Sequence, residues 1–246
     1  MSFADILMPV APTAEDELVR LAVAVDLAQR LKARLNGVFV ATNLTSRREA
    51  SWARSLFDRA VSLTSLETTW RVIDGREMAP LLFQARRTDL VVMPPAEPVV
   101  GSDSQRPELI ALQSGVPTLV LPHPKNEMSI GHKILVGWNE TREATRAIHD
   151  ALPILENADK VWVLSVTPDD GPEPLGERRL VDHLTLHGAP IELARRHGDP
   201  GEEIAASALD LDVDMLVLGL KRRGNDLGDV SSRFVRSMTF PILFSH

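Results

Sequence analysis

The sequence predicts two tandem α/β domains, each a five-stranded parallel sheet covered by helices, and three observations carry that prediction. The first is an internal repeat. Ile6-Leu7-Met8-Pro9-Val10 returns as Ile134-Leu135-Val136-Gly137-Trp138, and Asp74-Gly75-Arg76-Glu77 as Asp199-Pro200-Gly201-Glu202. Asp89-Leu90-Val91-Val92-Met93 returns as Asp214-Met215-Leu216-Val217-Leu218, and Val116-Pro117-Thr118-Leu119-Val120-Leu121 as Phe240-Pro241-Ile242-Leu243-Phe244. The offset stays between about 124 and 128 residues, the signature of a duplication. The second is that strand-like and helix-like segments alternate in each half, which implies a parallel sheet built from right-handed crossovers. The third is length: 246 residues bury one large core or two small ones, and the repeat decides for two. The expected domains are 1–124 and 132–246, joined by a polar, proline-containing linker from His123 to His132.

In the second half, Lys133 to Gly137 is a short apolar run that reads as a buried strand. Glu140 to Leu155 carries Ala144, Ile148, Ala151, Leu152 and Leu155 at helical spacing, and Lys160 to Val166 alternates like a strand. A helix follows over Leu175 to His187, a strand over Ile191 to Arg195 and a helix over Glu202 to Leu209. Met215 to Leu218 is strand, Val230 to Ser237 helix, and Ile242 to Phe244 closes the unit. The first half repeats this order: strand 5–10, helix 15–33, strand 37–41, helix 47–64, strand 68–73, helix 77–86, strand 90–93, helix 107–113 and strand 117–121. In such sheets ligands bind beyond the carboxyl ends of the strands, where the strand order reverses. The loops after the first, second and fourth strands of each half are therefore the ones to inspect.

Composition narrows the function. Hydrophobic residues make up 44% and charged residues 25%, as in ordinary globular proteins. No apolar run approaches the roughly 20 residues of a membrane span, and Met1-Ser2-Phe3-Ala4-Asp5 lacks the features of a signal peptide. With no cysteine there is no disulfide, no thiolate chemistry and no cysteine-ligated zinc, and a cytoplasmic location is expected. The net charge of −7 lies entirely in the second half, where 13 basic residues face 20 acidic ones over 126–246. That balance, with no tyrosine, disfavours nucleic acid as a partner.

The segment Lys133-Ile134-Leu135-Val136-Gly137-Trp138-Asn139-Glu140-Thr141-Arg142-Glu143-Ala144, with Ala147-Ile148-His149-Asp150-Ala151-Leu152-Pro153 after it, resembles the first strand and helix of universal stress proteins, the UspA family. Gly198-Asp199-Pro200-Gly201-Glu202-Glu203-Ile204 and the final Phe240-Pro241-Ile242-Leu243-Phe244-Ser245-His246 resemble the same family. The resemblance covers nearly the whole chain as a tandem pair and is strongest in the second half. It implies adenine nucleotide alpha hydrolase-like, Rossmann-like domains. It leaves activity open, because the family includes members that bind ATP and members that do not.

The family's ATP-binding members place an Asp after the first strand, a residue at the end of the second strand against adenine, and a glycine loop after the fourth. Glycines let backbone N–H groups approach phosphates, and the helix N-terminus beyond favours negative charge. By this resemblance Asn139 takes the Asp position, Val166 lies near adenine and Gly219 matches the first glycine. Gly228 matches the last glycine, with Val230 and Ser231 following, while Gly137, Lys221 and Gly224 complete the candidate ligand-binding set. Arg222 falls where the second glycine belongs, the loop is about four residues short, and Asp229 replaces a Ser or Thr, placing a carboxylate where phosphates would sit. Lys221, Arg222 and Arg223 read either as an anion-holding triplet or as a solvated turn, and Asp229 as a helix N-cap.

The first half departs further. Ala11 stands where Asn139 stands in the second, and Met93-Pro94-Pro95 replaces the Leu218-Gly219 strand end with residues poor in N–H donors. This half reads as a structural partner with no nucleotide site. His183 and His187 stand at i and i+4 on a predicted helix, but with no third ligand evident apart from Asp182, no metal site is expected. His149 with Asp150, and His197 with Asp199, lack a paired serine, so no catalytic residue is assigned. Trp70, Trp162 and Met215 read as core.

These observations predict a stress-response regulatory or binding protein of the universal stress protein type, without turnover and without tight ATP binding. The alternative is an ATP-binding switch or weak ATPase using the second-domain site. No firm cofactor is expected: ATP or another anionic ligand would bind weakly. A small anionic ligand or a protein are the expected partners, with no nucleic acid and no membrane. The two halves are expected to form an internal pseudo-dimer, with a homodimer as a further assembly.

Overall fold

A computed structural model of the chain describes residues 2–12, 14–41, 47–95, 106–123, 128–167, 176–223, 226–227, 234 and 240–246. It divides into two compact units, Ser2–Met128 and Ser129–His246.

The first unit runs β1 (Asp5–Pro9), α1 (Ala14–Leu31), β2 (Arg34–Ala41), α2 (Arg47–Val61), β3 (Thr68–Asp74), α3 (Ala79–Ala85), β4 (Leu90–Met93), α4 (Pro107–Ser114) and β5 (Thr118–Val120). Its strands lie in the order β3-β2-β1-β4-β5 and pair in parallel throughout. β4 is apolar at every position and buried at every position, because helices cover both faces of a central parallel strand. On one face Leu7, Val38, Val91 and Met93 meet Leu81, Leu82 and Ala85 of α3 and Ile110 of α4. Pro107 starts α4 where no N–H partner is required, and Gly115 at φ 73° ends it by returning its N–H to the Ala111 carbonyl.

The second unit repeats the plan with β6 (Lys133–Trp138), α5 (Arg142–Leu155), β7 (Lys160–Thr167), α6 (Glu177–Leu186), β8 (Ile191–His197), α7 (Pro200–Asp210), β9 (Met215–Gly219), β10 (Arg222–Arg223), β11 (Asp226–Leu227) and β12 (Ile242–Ser245). The parallel order is β8-β7-β6-β9-β12. α5 buries Ala144, Ala147, Ile148, Ala151, Leu152 and Leu155, the stripe expected from their spacing. Trp162 and Met215 are buried, as the sequence suggested, and Trp70 is half-buried against Phe57, with ring centroids 5.4 Å apart. The helix expected over 230–237 falls almost wholly outside the described residues.

The duplication extends to side-chain detail. Asp214, just ahead of β9, accepts the backbone N–H groups of Gly131, His132 and Lys133 leading into β6. Asp89, just ahead of β4, accepts those of Ala4 and Asp5 leading into β1. Each carboxylate clamps the entry of the first strand to the entry of the fourth. In both units the strand order reverses between these same two strands, which opens a crevice at their carboxyl ends.

Candidate ligand pocket of the second unit

The crevice of the second unit holds a cavity of about 180 Å³. Gly137, Trp138 and Asn139 bring the end of β6 to it, Leu164 and Val166 the end of β7, and Leu218, Gly219 and Lys221 the end of β9. Thr141, Glu143 and Ala144 add the N-terminus of α5, and Pro200 and Ile204 the N-terminus of α7. The walls are mainly apolar, with Asn139 and Lys221 exposed at the rim. The indole Nε1 of Trp138 is buried with no hydrogen-bond partner.

Local sequence builds this rim. Thr141 caps α5, its Oγ1 accepting the Ala144 N–H at 3.3 Å, and its hydroxyl donates to Asn139 Oδ1 at 2.7 Å. Asn139 therefore supports the helix cap as well as facing the pocket. Glu140 takes a left-handed φ of 55° at the turn, and its Oε1 accepts the Gly176 N–H at 2.9 Å. Asp199 caps α7 by accepting the Glu202 N–H, with Pro200 at the first helical position.

Gly219 has a packing reason to be glycine. A Cβ there would stand 2.5 Å from the Glu143 carbonyl carbon and 2.7 Å from the Ala144 nitrogen, so the missing side chain lets the α5 backbone close on β9. At Gly137 the nearest obstacle is the movable tip of Leu218, 2.7 Å away.

Of the residues singled out in the sequence, Gly137, Asn139, Val166, Gly219 and Lys221 converge on the cavity. Arg222 and Arg223 form β10, pairing antiparallel with β11 through Arg222 opposite Leu227 and Arg223 opposite Asp226. The segment read as either a solvated turn or an anion-holding triplet is in part a short hairpin. Gly224, Gly228, Asp229, Val230 and Ser231 lie outside the described residues. Sequence reading passed over Trp138, Thr141, Glu143, Leu164, Pro200 and Ile204. The Thr141 cap and the Asp199-Pro200 helix start carried a recognisable signal; the apolar wall did not, because its residues look like any core.

In the first unit a backbone donor at the end of β1 is satisfied from within. Glu17 Oε1 accepts the Ala11 N–H at 3.1 Å, and Glu17 Oε2 accepts from Arg20 Nη2 at 2.6 Å. Both side chains are buried; burial raises the Glu17 carboxyl above its ordinary 4.5, with the Arg20 guanidinium opposing the shift.

The fold and the pocket define an α/β protein of doubly wound parallel sheets with its cleft at the topological switch point. The universal stress protein family matches residues 131–246, which make up nearly all of the second unit. Over 98% of its length the chain is similar to a universal stress protein from Archaeoglobus fulgidus, covering 95% of it at 14% identity and a TM-score of 0.72. About half of the chain is similar to a universal stress protein from Lactobacillus plantarum (17% identity, 48% of this chain and 99% of that one, TM-score 0.37). A universal stress protein family protein from Arabidopsis thaliana, solved with AMP bound, matches at 20% identity over 46% of this chain and 90% of that one, TM-score 0.36. Comparison with curated proteins gives no match. Among the described residues no helix is long and apolar enough to cross a membrane.

Proposed function

We propose that the chain is a cytoplasmic stress-response binding protein that works without turnover. Its second unit holds a small ligand at the β6–β7–β9 crevice, and its first unit is a structural partner with no nucleotide site. The observation that carries this reading is the cavity of about 180 Å³ at the carboxyl ends of those strands, with Asn139 and Lys221 exposed at its rim. Its described walls enclose less than the roughly 300–1,000 Å³ typical of drug-sized ligands, which favours a compact ligand with an apolar body and an anionic or acceptor group.

Tight ATP binding is not expected. The bare Cα of Gly219 is already used by the α5 backbone, and the chain beyond it enters the β10–β11 hairpin. Asp229 adds a carboxylate to the segment that would meet them. The competing reading, an ATP-binding switch, draws on Lys221 at the rim of the pocket. Calorimetry with Mg-ATP decides between them. No binding tighter than about 100 μM is expected. A micromolar dissociation constant that disappears in Lys221→Ala would overturn the proposal in favour of the switch.

A further inference from the structure

His149 meets His183 and His187, more than 30 residues further along the chain, on the surface of the second unit and away from the pocket lining. His149 on α5 and His183 on α6 face each other with their Nε2 atoms 3.3 Å apart, and the His187 ring stands edge-on to that of His183 at 4.9 Å between centroids. His149 Nδ1 lies 2.8 Å from the Thr145 carbonyl oxygen. A carbonyl only accepts, so Nδ1 carries the proton, and in the neutral ring Nε2 presents a lone pair toward His183. Histidine ligands are commonly held this way, with the remote N–H on a carbonyl and the free nitrogen aimed at the metal.

We propose that His149 and His183 form a two-imidazole site for a zinc-class divalent cation. Two nitrogens each about 2.0–2.1 Å from a tetrahedral ion stand about 3.3–3.4 Å apart. The observed separation is that edge; a square-planar ion would bring its adjacent nitrogens to about 2.8–3.0 Å. Without metal, the His183 Nε2–H donates to the His149 lone pair. Binding moves that proton to His183 Nδ1, so both rings enter as neutral ligands and no net proton is released. Among the described residues no group of three or more His, Cys, Asp and Glu side chains is arranged to hold a metal, so water completes the coordination sphere. Glu156 Oε1 lies 3.8 Å from Nδ1 of the neighbouring His187. The site rests on the crossing of α5 and α6 and not on the pocket, so it stands or falls separately from the ligand proposal.

The test is zinc titration of the full chain at pH 7.5 in a non-chelating buffer, by calorimetry and thermal unfolding, alongside His149→Ala, His183→Ala and His197→Ala. One saturable site per chain is expected, weakened by at least about tenfold in each of the first two variants and unchanged in His197→Ala. Zinc should raise the unfolding temperature of the parent and of His197→Ala only. If His149→Ala loses helix content by circular dichroism, His149→Gln replaces it. Absence of saturable binding, or equal affinity in all four proteins, overturns the proposal.

Discussion

Glu17 holds the Ala11 backbone N–H at 3.1 Å, and through its other carboxylate oxygen it holds Arg20. The first unit thereby satisfies from inside a donor at the end of its first strand, whereas the end of the second unit's own first strand lines a pocket. A carboxylate and a guanidinium this deeply buried depend on each other. Glu17→Ala should cost about 3–5 kcal/mol by leaving Arg20 as an uncompensated buried charge. Glu17→Met combined with Arg20→Leu should cost far less, because it removes both charges and keeps the volume. Urea unfolding of the two variants tests this, and equal losses would show that the ion pair is not the source of the cost.

Most of the architecture was legible because parallel strands buried on two faces are short apolar runs, such as Leu90 to Met93 and Met215 to Gly219. Helix α5 was equally plain, since its apolar residues recur at helical spacing from Ala144 to Leu155. The pocket was half legible. A glycine at a strand end and a polar residue after β6 are local signals, whereas Ile204 and Leu164 reach the cavity only through the crossing of distant elements. Lys221-Arg222-Arg223 looked like a charged turn because nothing in its composition signals the pairing of Arg222 with Leu227. Glu17 and Arg20 stand three residues apart with nothing in the local sequence to mark them as internal, and only the packing of α1 reveals their burial. The meeting of His149 and His183 was hidden for the same reason: 34 residues separate them.

Asp214 should be a stability anchor with a definite pH signature. Asp214→Ala leaves three strand-entry N–H groups without their acceptor and should cost about 1–3 kcal/mol. Burial raises the Asp214 carboxyl above its ordinary 3.8, against the pull of the three backbone donors. Between that value and the raised one, the folded state holds a proton that the unfolded chain has released. The contribution of Asp214 to stability is therefore greatest at or below pH 3.8 and declines as pH rises through the raised value. Denaturant unfolding of the parent and Asp214→Asn from pH 4 upward should show their gap narrowing with pH, and a widening gap would reverse the assignment.

The two pocket glycines should tolerate alanine unequally. At Gly219 the new Cβ meets backbone atoms of Glu143 and Ala144 at 2.5 to 2.7 Å, and a helix N-terminus must move to make room. Gly219→Ala should cost about 1–3 kcal/mol as an overpacking substitution. At Gly137 the Leu218 tip can turn aside, so Gly137→Ala should cost less and mainly shrink the cavity. Thermal unfolding ranks the two. The opposite order would mean that Gly219 is not the contact point of α5.

Asn139 and Thr141 carry separable roles although they share a hydrogen bond. Thr141 satisfies the Ala144 N–H at the start of α5, so Thr141→Ala should lose about 1 kcal/mol and Thr141→Ser much less. Asn139 only accepts from the Thr141 hydroxyl, and Asn139→Ala should cost at most about 0.5 kcal/mol on the surface. Asn139→Asp supplies the carboxylate that the family resemblance places here, without altering Gly219 or the hairpin. If those two features limit ATP affinity, calorimetry of Asn139→Asp with Mg-ATP should still show no binding tighter than about 100 μM. Micromolar binding in that variant would place the whole deficit on one amide and show that the β9 end remains able to receive phosphates.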